Sequence, residues 1–140
     1  MAKLLGVDYG TRRIGIAVGD TETRVAMPLM TVKGADDAAR DARMIADLGA
    51  KEQAEAFVVG LPLNMTAEVS TDSPQTILTR RFAAELERCS GKPVRLQDER
   101  LTSFAAEEVL EEAGFSRKKR KDLSDRIAAQ KILQGYFDQT

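Results

Sequence analysis

The sequence predicts an α/β fold built on a mixed five-stranded sheet, an antiparallel three-stranded meander plus two parallel strands, with helices on both faces. Three observations carry this expectation. As far as Val32 the chain holds strand-like apolar segments with no helical period. Beyond it, amphipathic helical stripes alternate with short apolar runs, the pattern of β-α-β units. One of those runs, Ala56-Phe57-Val58-Val59-Gly60-Leu61, is continuous, which suits a strand covered on both faces.

Taken in order, Leu4-Leu5-Gly6-Val7-Asp8 reads as a first strand and Arg13 to Asp20 as a second. The short segment Tyr9-Gly10-Thr11-Arg12 joins them as a hairpin. Met27 to Val32 is the third strand. Asp36-Asp37 then open an amphipathic helix with Ala38, Ala42, Ile45, Ala46 and Leu48 on its apolar side and the acids at its N-terminus. After the Ala56–Leu61 strand, Ser73-Pro74 reads as an N-cap followed by proline at the first helical position. Leu78, Phe82, Leu86 and Cys89 mark that helix's buried stripe, and Gly91 with Pro93 stops it. Val94-Arg95-Leu96-Gln97-Asp98 is a short alternating strand. A helix is expected from Ser103 to Ala113, ending at Gly114 with Phe115 packed back on Leu110. The basic run Arg117-Lys118-Lys119-Arg120-Lys121 comes next, then a last helix from Asp122 to Phe137. No repeat, low-complexity tract or linker divides residues 1–140, so a single domain is expected.

Composition narrows the chemistry. Hydrophobic residues make up 43% of the chain and charged residues 31%, the balance of a soluble globular protein, and no apolar run is long enough to span a membrane. The first residues lead directly into a strand with no signal peptide, and Cys89 is alone, so a reducing, cytoplasmic setting is expected. Cys89 itself reads as a buried space-filler. The net charge of −1 gives little long-range attraction for nucleic acid, which leaves binding to local clusters: Arg12-Arg13 and Arg117–Lys121. The chain contains no histidine. That removes serine–histidine and cysteine–histidine nucleophile systems and the usual zinc sites, and leaves carboxylates, lysines, hydroxyls or metal-bound water.

Three acidic positions then stand out. Asp8 ends a strand beside a glycine turn, where it can hold Mg²⁺ or Mn²⁺ while the backbone approaches a ligand closely. The plain alternative is a turn aspartate satisfied by nearby backbone N–H groups. Asp125 shares a helical face with Ala128, Ala129, Ile132 and Tyr136, with Leu133 and Phe137 at the margin. A carboxylate on a buried stripe is costly unless a cation or donors satisfy it; the alternative is an acid that caps the helix start. Asp98 and Glu99, followed by Arg100, supply the third position. Strand neighbours face opposite ways, so one carboxylate of the pair is expected at the centre. Alternation groups Asp98 with Val94 and Leu96, but a strand end that twists into a turn leaves the choice open, and the plain alternative is a surface Glu–Arg pair. Clustered carboxylates without histidine suit a site for two metal ions about 3.5–4 Å apart and phosphodiester hydrolysis. Asn64, after Gly60-Leu61-Pro62-Leu63, is an uncharged group able to touch a phosphate or sugar, with a plain strand-to-loop turn as the equal alternative. An aromatic content of 5% without tryptophan argues against a base-stacking surface for single strands.

The segments Gly6-Val7-Asp8-Tyr9-Gly10-Thr11-Arg12-Arg13-Ile14-Gly15-Ile16-Ala17, Val58-Val59-Gly60-Leu61-Pro62-Leu63-Asn64-Met65 and Asp98-Glu99-Arg100-Leu101-Thr102-Ser103 resemble those of the YqgF family, also called RuvX. Ser116–Lys121, with Asp125 ahead of Ala128-Ala129 and Ile132-Leu133, resembles the family's C-terminal stretch. The resemblance implies an RNase H-like fold related to Holliday junction resolvases, and a nuclease that matures the 5′ end of the 16S ribosomal RNA precursor. It implies Asp8, the Asp98-Glu99 pair and Asp125 as the acidic site, with Glu99 favoured within the pair against the alternation argument. Mg²⁺ or Mn²⁺ is the expected cofactor of these acids, and Arg12, Arg13, Asn64, Arg100, Arg117, Lys118, Lys119 and Lys121 are the residues expected toward nucleic acid. One departure stands in the loop after Asn64-Met65, where Thr66-Ala67 replaces the family's common Asp-Gly.

Three other readings compete. A DNA junction resolvase would use the same carboxylates, and a two-fold homodimer with both sites on one surface would favour it. Asp8-Tyr9-Gly10-Thr11 also resembles the phosphate turn of actin-like ATPases and sugar kinases, though this chain supplies half of such a cleft. A non-catalytic RNA-binding module would grip phosphates with lysine and arginine in preference to clustered aspartate.

Overall fold

In each central strand two adjacent apolar residues must point to opposite sides, so the sheet needs cover on both faces. Leu4-Leu5, Ile16-Ala17 and Val58-Val59 are such pairs, and all six residues are buried. The computed structural model describes residues 2–62, 73–98 and 117–139, side chains of 117–122 excepted. The helix expected from Ser103 to Ala113, with its Gly114–Phe115 end, lies outside the described residues.

The elements are β1 (Lys3–Tyr9), β2 (Arg13–Asp20), β3 (Ala26–Lys33), α1 (Ala38–Glu52), β4 (Ala56–Leu61), α2 (Pro74–Ser90), β5 (Val94–Asp98) and α3 (Arg117–Gln139). They form one sheet in the order β3-β2-β1-β4-β5. β2 runs antiparallel to β1 and β3, while β4 runs parallel to β1 and β5. This is the mixed sheet expected from the sequence. Pro28 sits in β3, an edge strand, where a missing N–H is tolerated.

Two apolar clusters hold the layers together. Leu5, Val7, Ile14, Ile16, Phe57 and Val59 meet Ala42 and Ile45 of α1 and Phe82 and Leu86 of α2. On the other face Leu4, Ala17 and Val58 meet Ala129, Ile132, Leu133 and Phe137 of α3. Each fully buried Leu, Ile or Phe contributes about 1.5–3 kcal/mol. The helix ends follow their local chemistry. The Asp37 carboxylate accepts from Ala39 N and Arg40 N, Ser73 Oγ accepts from Thr76 N ahead of Pro74, and Gly91 closes α2 at φ 68°.

Two expectations need correction. The buried side of α2 is Thr76, Thr79, Phe82, Ala83 and Leu86, whereas Leu78 is exposed and Cys89 only half-buried. Threonines can take the inner positions because their hydroxyls are satisfied: Thr79 Oγ1 donates to Gln75 O, and Thr76 Oγ1 to Pro62 O. The last helix starts at Arg117, so the basic run is its opening part and not a segment before it. Arginine and lysine are good helix formers, and a charged run gives no stop signal.

α3 lies close on the sheet because glycines face it. A Cβ at Gly6 would stand 2.7 Å from Leu133 Cβ and 2.8 Å from Ala129 O. Two glutamines then fasten the helix to the start of β3. Gln134 Oε1 accepts from Ala26 N at 3.0 Å, and Gln130 Nε2 donates to Ala26 O at 3.0 Å. Gln134 Nε2 also donates to Arg24 O at 3.0 Å.

Candidate metal and nucleic-acid site

Asp8 is the last but one residue of β1, and its partner across the antiparallel pair is Gly15. Directly opposed residues project from the same face of a sheet. The face of Gly15 is unambiguous, because a Cβ there would lie 2.0 Å from the carbonyl oxygen of Asp125. Asp8 therefore projects to the α3 face, beside the point where the backbone of Asp125 rests on β2. Gly6, two positions earlier on β1, looks toward the same helix. The close contact at Gly15 thus sets the backbone of Asp125 beside the strand pair that carries Asp8.

Asp125 lies far beyond the first turn of α3, so it does not cap the helix. It stands one turn from the buried Ala128 and Ala129. Its side chain is 25% exposed and its Oδ2 is buried. Arg13 Nε stands 3.2 Å from that oxygen. Arg13 comes from the same face of β2, two residues before Gly15. Arg13 thus places a cation of the chain itself beside this carboxylate.

The strand end carrying Asp8 is anchored from the opposite face. The Tyr9 hydroxyl donates to Asp41 Oδ2 at 3.0 Å, and its ring stacks on Phe82 with centroids 4.1 Å apart. Asp41 is fully buried in the first turn of α1, and its Oδ1 accepts from Ala35 N at 2.7 Å. Burial first, then the hydrogen bond to Asp41, pushes the Tyr9 phenol well above its ordinary pKa. Gln75 Nε2 donates to Tyr9 O at 3.1 Å, and Gly34 N donates to Arg12 O at 2.8 Å. Sequence reasoning missed Asp41. The signal was there: Asp41 falls among Ala38, Ala42 and Ile45 on the apolar side of α1, the same pattern that singled out Asp125. It also missed Lys33, which is exposed, pairs with Arg13 across β2 and β3, and so shares the α3 face.

The remaining expected residues are distributed less simply. Asp98 pairs with Leu61 in the parallel β4–β5 ladder. Leu61 alternates with Val59 and Phe57, which pack toward α1 and α2. The preceding Gln97 approaches α3, its Nε2 3.3 Å from where a Cβ on Gly135 would stand. Asp98 thus lies on the face opposite Asp8 and Asp125. Glu99, Arg100 and Asn64 fall outside the described residues. Arg12 is exposed on the β1–β2 turn, and Arg117, Lys118, Lys119 and Lys121 belong to the opening part of α3. Among the described residues no three acidic or thiol side chains converge to hold a metal. The two that share a face are hard oxygen donors, and Asp125 already takes a cationic partner, so the pair fits Mg²⁺ or Mn²⁺. A groove of about 620 Å³ lined by Lys3, Asp20, Val25, Met27 and Glu55 lies at the other end of β1 and is a separate feature. Among the described residues no helix is long and apolar enough to cross a membrane.

A family model for RuvX, described as Holliday junction resolvase, matches residues 2–139. The chain belongs to the RuvX family. A relative from Chromobacterium violaceum, named "Putative pre-16S rRNA nuclease", is 44% identical over 138 residues, covering 96% of each chain. A RuvX relative of the same name from Methylobacillus flagellatus is 42% identical over 137 residues, covering 96% of this chain and 90% of its own length. The solved structure of Thermus thermophilus RuvC in complex with Holliday junction substrate aligns with a TM-score of 0.57. That alignment covers 98% of this chain and 94% of the other at 17% identity, a likeness of fold. The RuvX chain has the RNase H-like α/β architecture that its motifs implied.

Proposed function

We propose that the chain is a divalent-metal-dependent nuclease that hydrolyses phosphodiester bonds in structured RNA, and that it matures the 5′ end of the 16S ribosomal RNA precursor in the cytoplasm. The observation that carries this reading is the shared face of Asp8 and Asp125, brought together by the helix contact at Gly15. The names of the relatives, at above 40% identity over nearly the whole chain, support the substrate class.

In this reading Asp8 and Asp125 hold Mg²⁺ or Mn²⁺ together with an acid from the Asp98-Glu99 pair. Glu99 is the better assignment, because Asp98 projects from the opposite face. Bound metal supplies activated water and stabilises the leaving oxygen. The chain's own residues do the positioning. Tyr9 and Asp41 fix the end of β1, Gly15 sets the height of Asp125, and Arg12, Arg13 and the basic opening of α3 attract the phosphate backbone.

Branched DNA is a second substrate reading, favoured by the description of the matching family as Holliday junction resolvase. Cleavage of a structured ribosomal RNA precursor and a four-way DNA junction, side by side with Mn²⁺, Mg²⁺ or EDTA, separates the two. Asp8→Asn and Asp125→Asn are expected to abolish cutting while the circular dichroism spectrum stays native. Retained activity in either variant would remove that residue from the site.

A further inference from the structure

Arg13 is expected to contact nucleic acid, yet its guanidinium lies on a carboxylate, Nε 3.2 Å from Asp125 Oδ2. A guanidinium keeps its charge at every working pH. A fixed cation therefore stands where the reading above puts a divalent one. We infer that Arg13 is an exchangeable counter-cation: it holds Asp125 while metal is absent, and metal binding releases it to a phosphate of the nucleic acid. This rests on the metal-dependent nuclease reading.

Three features support an exchange over a fixed structural pair. First, the Arg13 side chain is 39% exposed, so its guanidinium can turn out to water when another cation takes its place on the buried Asp125 Oδ2. Second, α3 does not need the ion pair in order to dock. The contacts at Gly6 and Gly15 and the two glutamines on Ala26 already fix it. Third, the released guanidinium has somewhere to act. Lys33 is its direct neighbour across the strands and is exposed on the same face, and Arg12 is exposed on the adjoining turn. Three cations would then line one side of the acidic pair, the arrangement that grips a phosphodiester backbone without reading its sequence. Metal loading and substrate capture become coupled, because one side chain serves both states.

The test is Mn²⁺ binding, followed by electron paramagnetic resonance, on wild type, Arg13→Gln, Arg13→Lys and Asp8→Asn. Alongside it, binding of an RNA hairpin is measured against salt concentration, in Mn²⁺ and in EDTA. Removing the competing charge should lower the Mn²⁺ Kd of Arg13→Gln about five-fold. In Mn²⁺ the salt slope of RNA binding should fall by about one in that variant, and in EDTA it should match wild type. Arg13→Lys is shorter and keeps its charge, so it should tighten Mn²⁺ less and retain the wild-type salt slope. It also stands in if Arg13→Gln fails to fold.

Unchanged or weaker Mn²⁺ binding in the Arg13 variants, with binding lost in Asp8→Asn, overturns the exchange and leaves the nuclease reading standing. Equal loss of RNA binding in Mn²⁺ and in EDTA also overturns it, because Arg13 would then be a fixed contact. Mn²⁺ binding that is absent from wild type, or untouched by Asp8→Asn, overturns both.

Discussion

Replacing Gly15 with alanine tests the geometry on which the candidate site depends. A Cβ at this position would lie 2.0 Å from Asp125 O and 2.5 Å from its carbonyl carbon, whereas real Cβ atoms essentially never approach below 3.0 Å. The obstruction is helix backbone, so no rotamer change relieves it. α3 must withdraw by about 1 Å at Asp125, or β2 must bend away. Forcing a methyl into packed structure costs about 1–3 kcal/mol, and a backbone obstacle belongs at the upper end. About 3 kcal/mol lowers a urea midpoint by about 1–2 M. Displacing one acid by about 1 Å should also lower cleavage about 100-fold when assayed below the unfolding transition. Urea unfolding followed by circular dichroism measures the first effect, and single-turnover cleavage of a ribosomal RNA precursor the second. A variant with a midpoint within about 0.5 M of wild type and undiminished cleavage would refute the placement of α3 on Gly15.

Gly135→Ala is the matching control. Among the described residues its Cβ meets only the end of the Gln97 side chain at 3.3 Å, and alanine favours helix over glycine by about 0.8–1 kcal/mol, so the urea midpoint should hold or rise. Tyr9→Phe leaves Asp41 Oδ2 buried without its phenolic donor and should cost about 1.5–3 kcal/mol, read by the same titration. The Tyr9 phenol is raised above its unfolded value, so its contribution is present below pH about 10 and is lost as pH rises from there. Unfolding of wild type should steepen with pH above about 10, and Tyr9→Phe should remove that part of the dependence.

The strand order and the ends of α1 and α2 were legible because they rest on local rules. Asp37, Ser73-Pro74 and Gly91 each carry their own capping chemistry, and β2, β4 and β5 end where their apolar patterns end. The start of α3 was not legible, since a run of arginine and lysine is compatible both with a solvated loop and with a helix. The inner side of α2 was misread because threonine ranks as polar until its hydroxyl is seen bonded to a carbonyl. Within the candidate site, position and periodicity single out Asp8 and Asp125. The Arg13–Asp125 contact could not, since it joins residues far apart in sequence. Gly6, Gly15 and Gly19 carried a usable signal, because glycines inside strands mark a backbone or ring approaching closely. Read as ordinary strand residues, they gave no hint that one helix would pass over all three.

The parallel pairing of β1, β4 and β5 has a consequence for how such a protein can diversify. All three strands run out at one rim: β1 at Tyr9, β4 at Leu61 and β5 at Asp98. Asp8 reaches its place through strand pairing and Asp125 through a helix lying on glycine, both contacts among the described residues. The departure at Thr66-Ala67 falls on the chain that leaves β4 there. A replacement there leaves the β1–β2 pairing at Asp8 and the helix contact at Gly15 with their own residues. In the proposed nuclease, substrate choice and the placement of these two acids are thereby free to change at different rates.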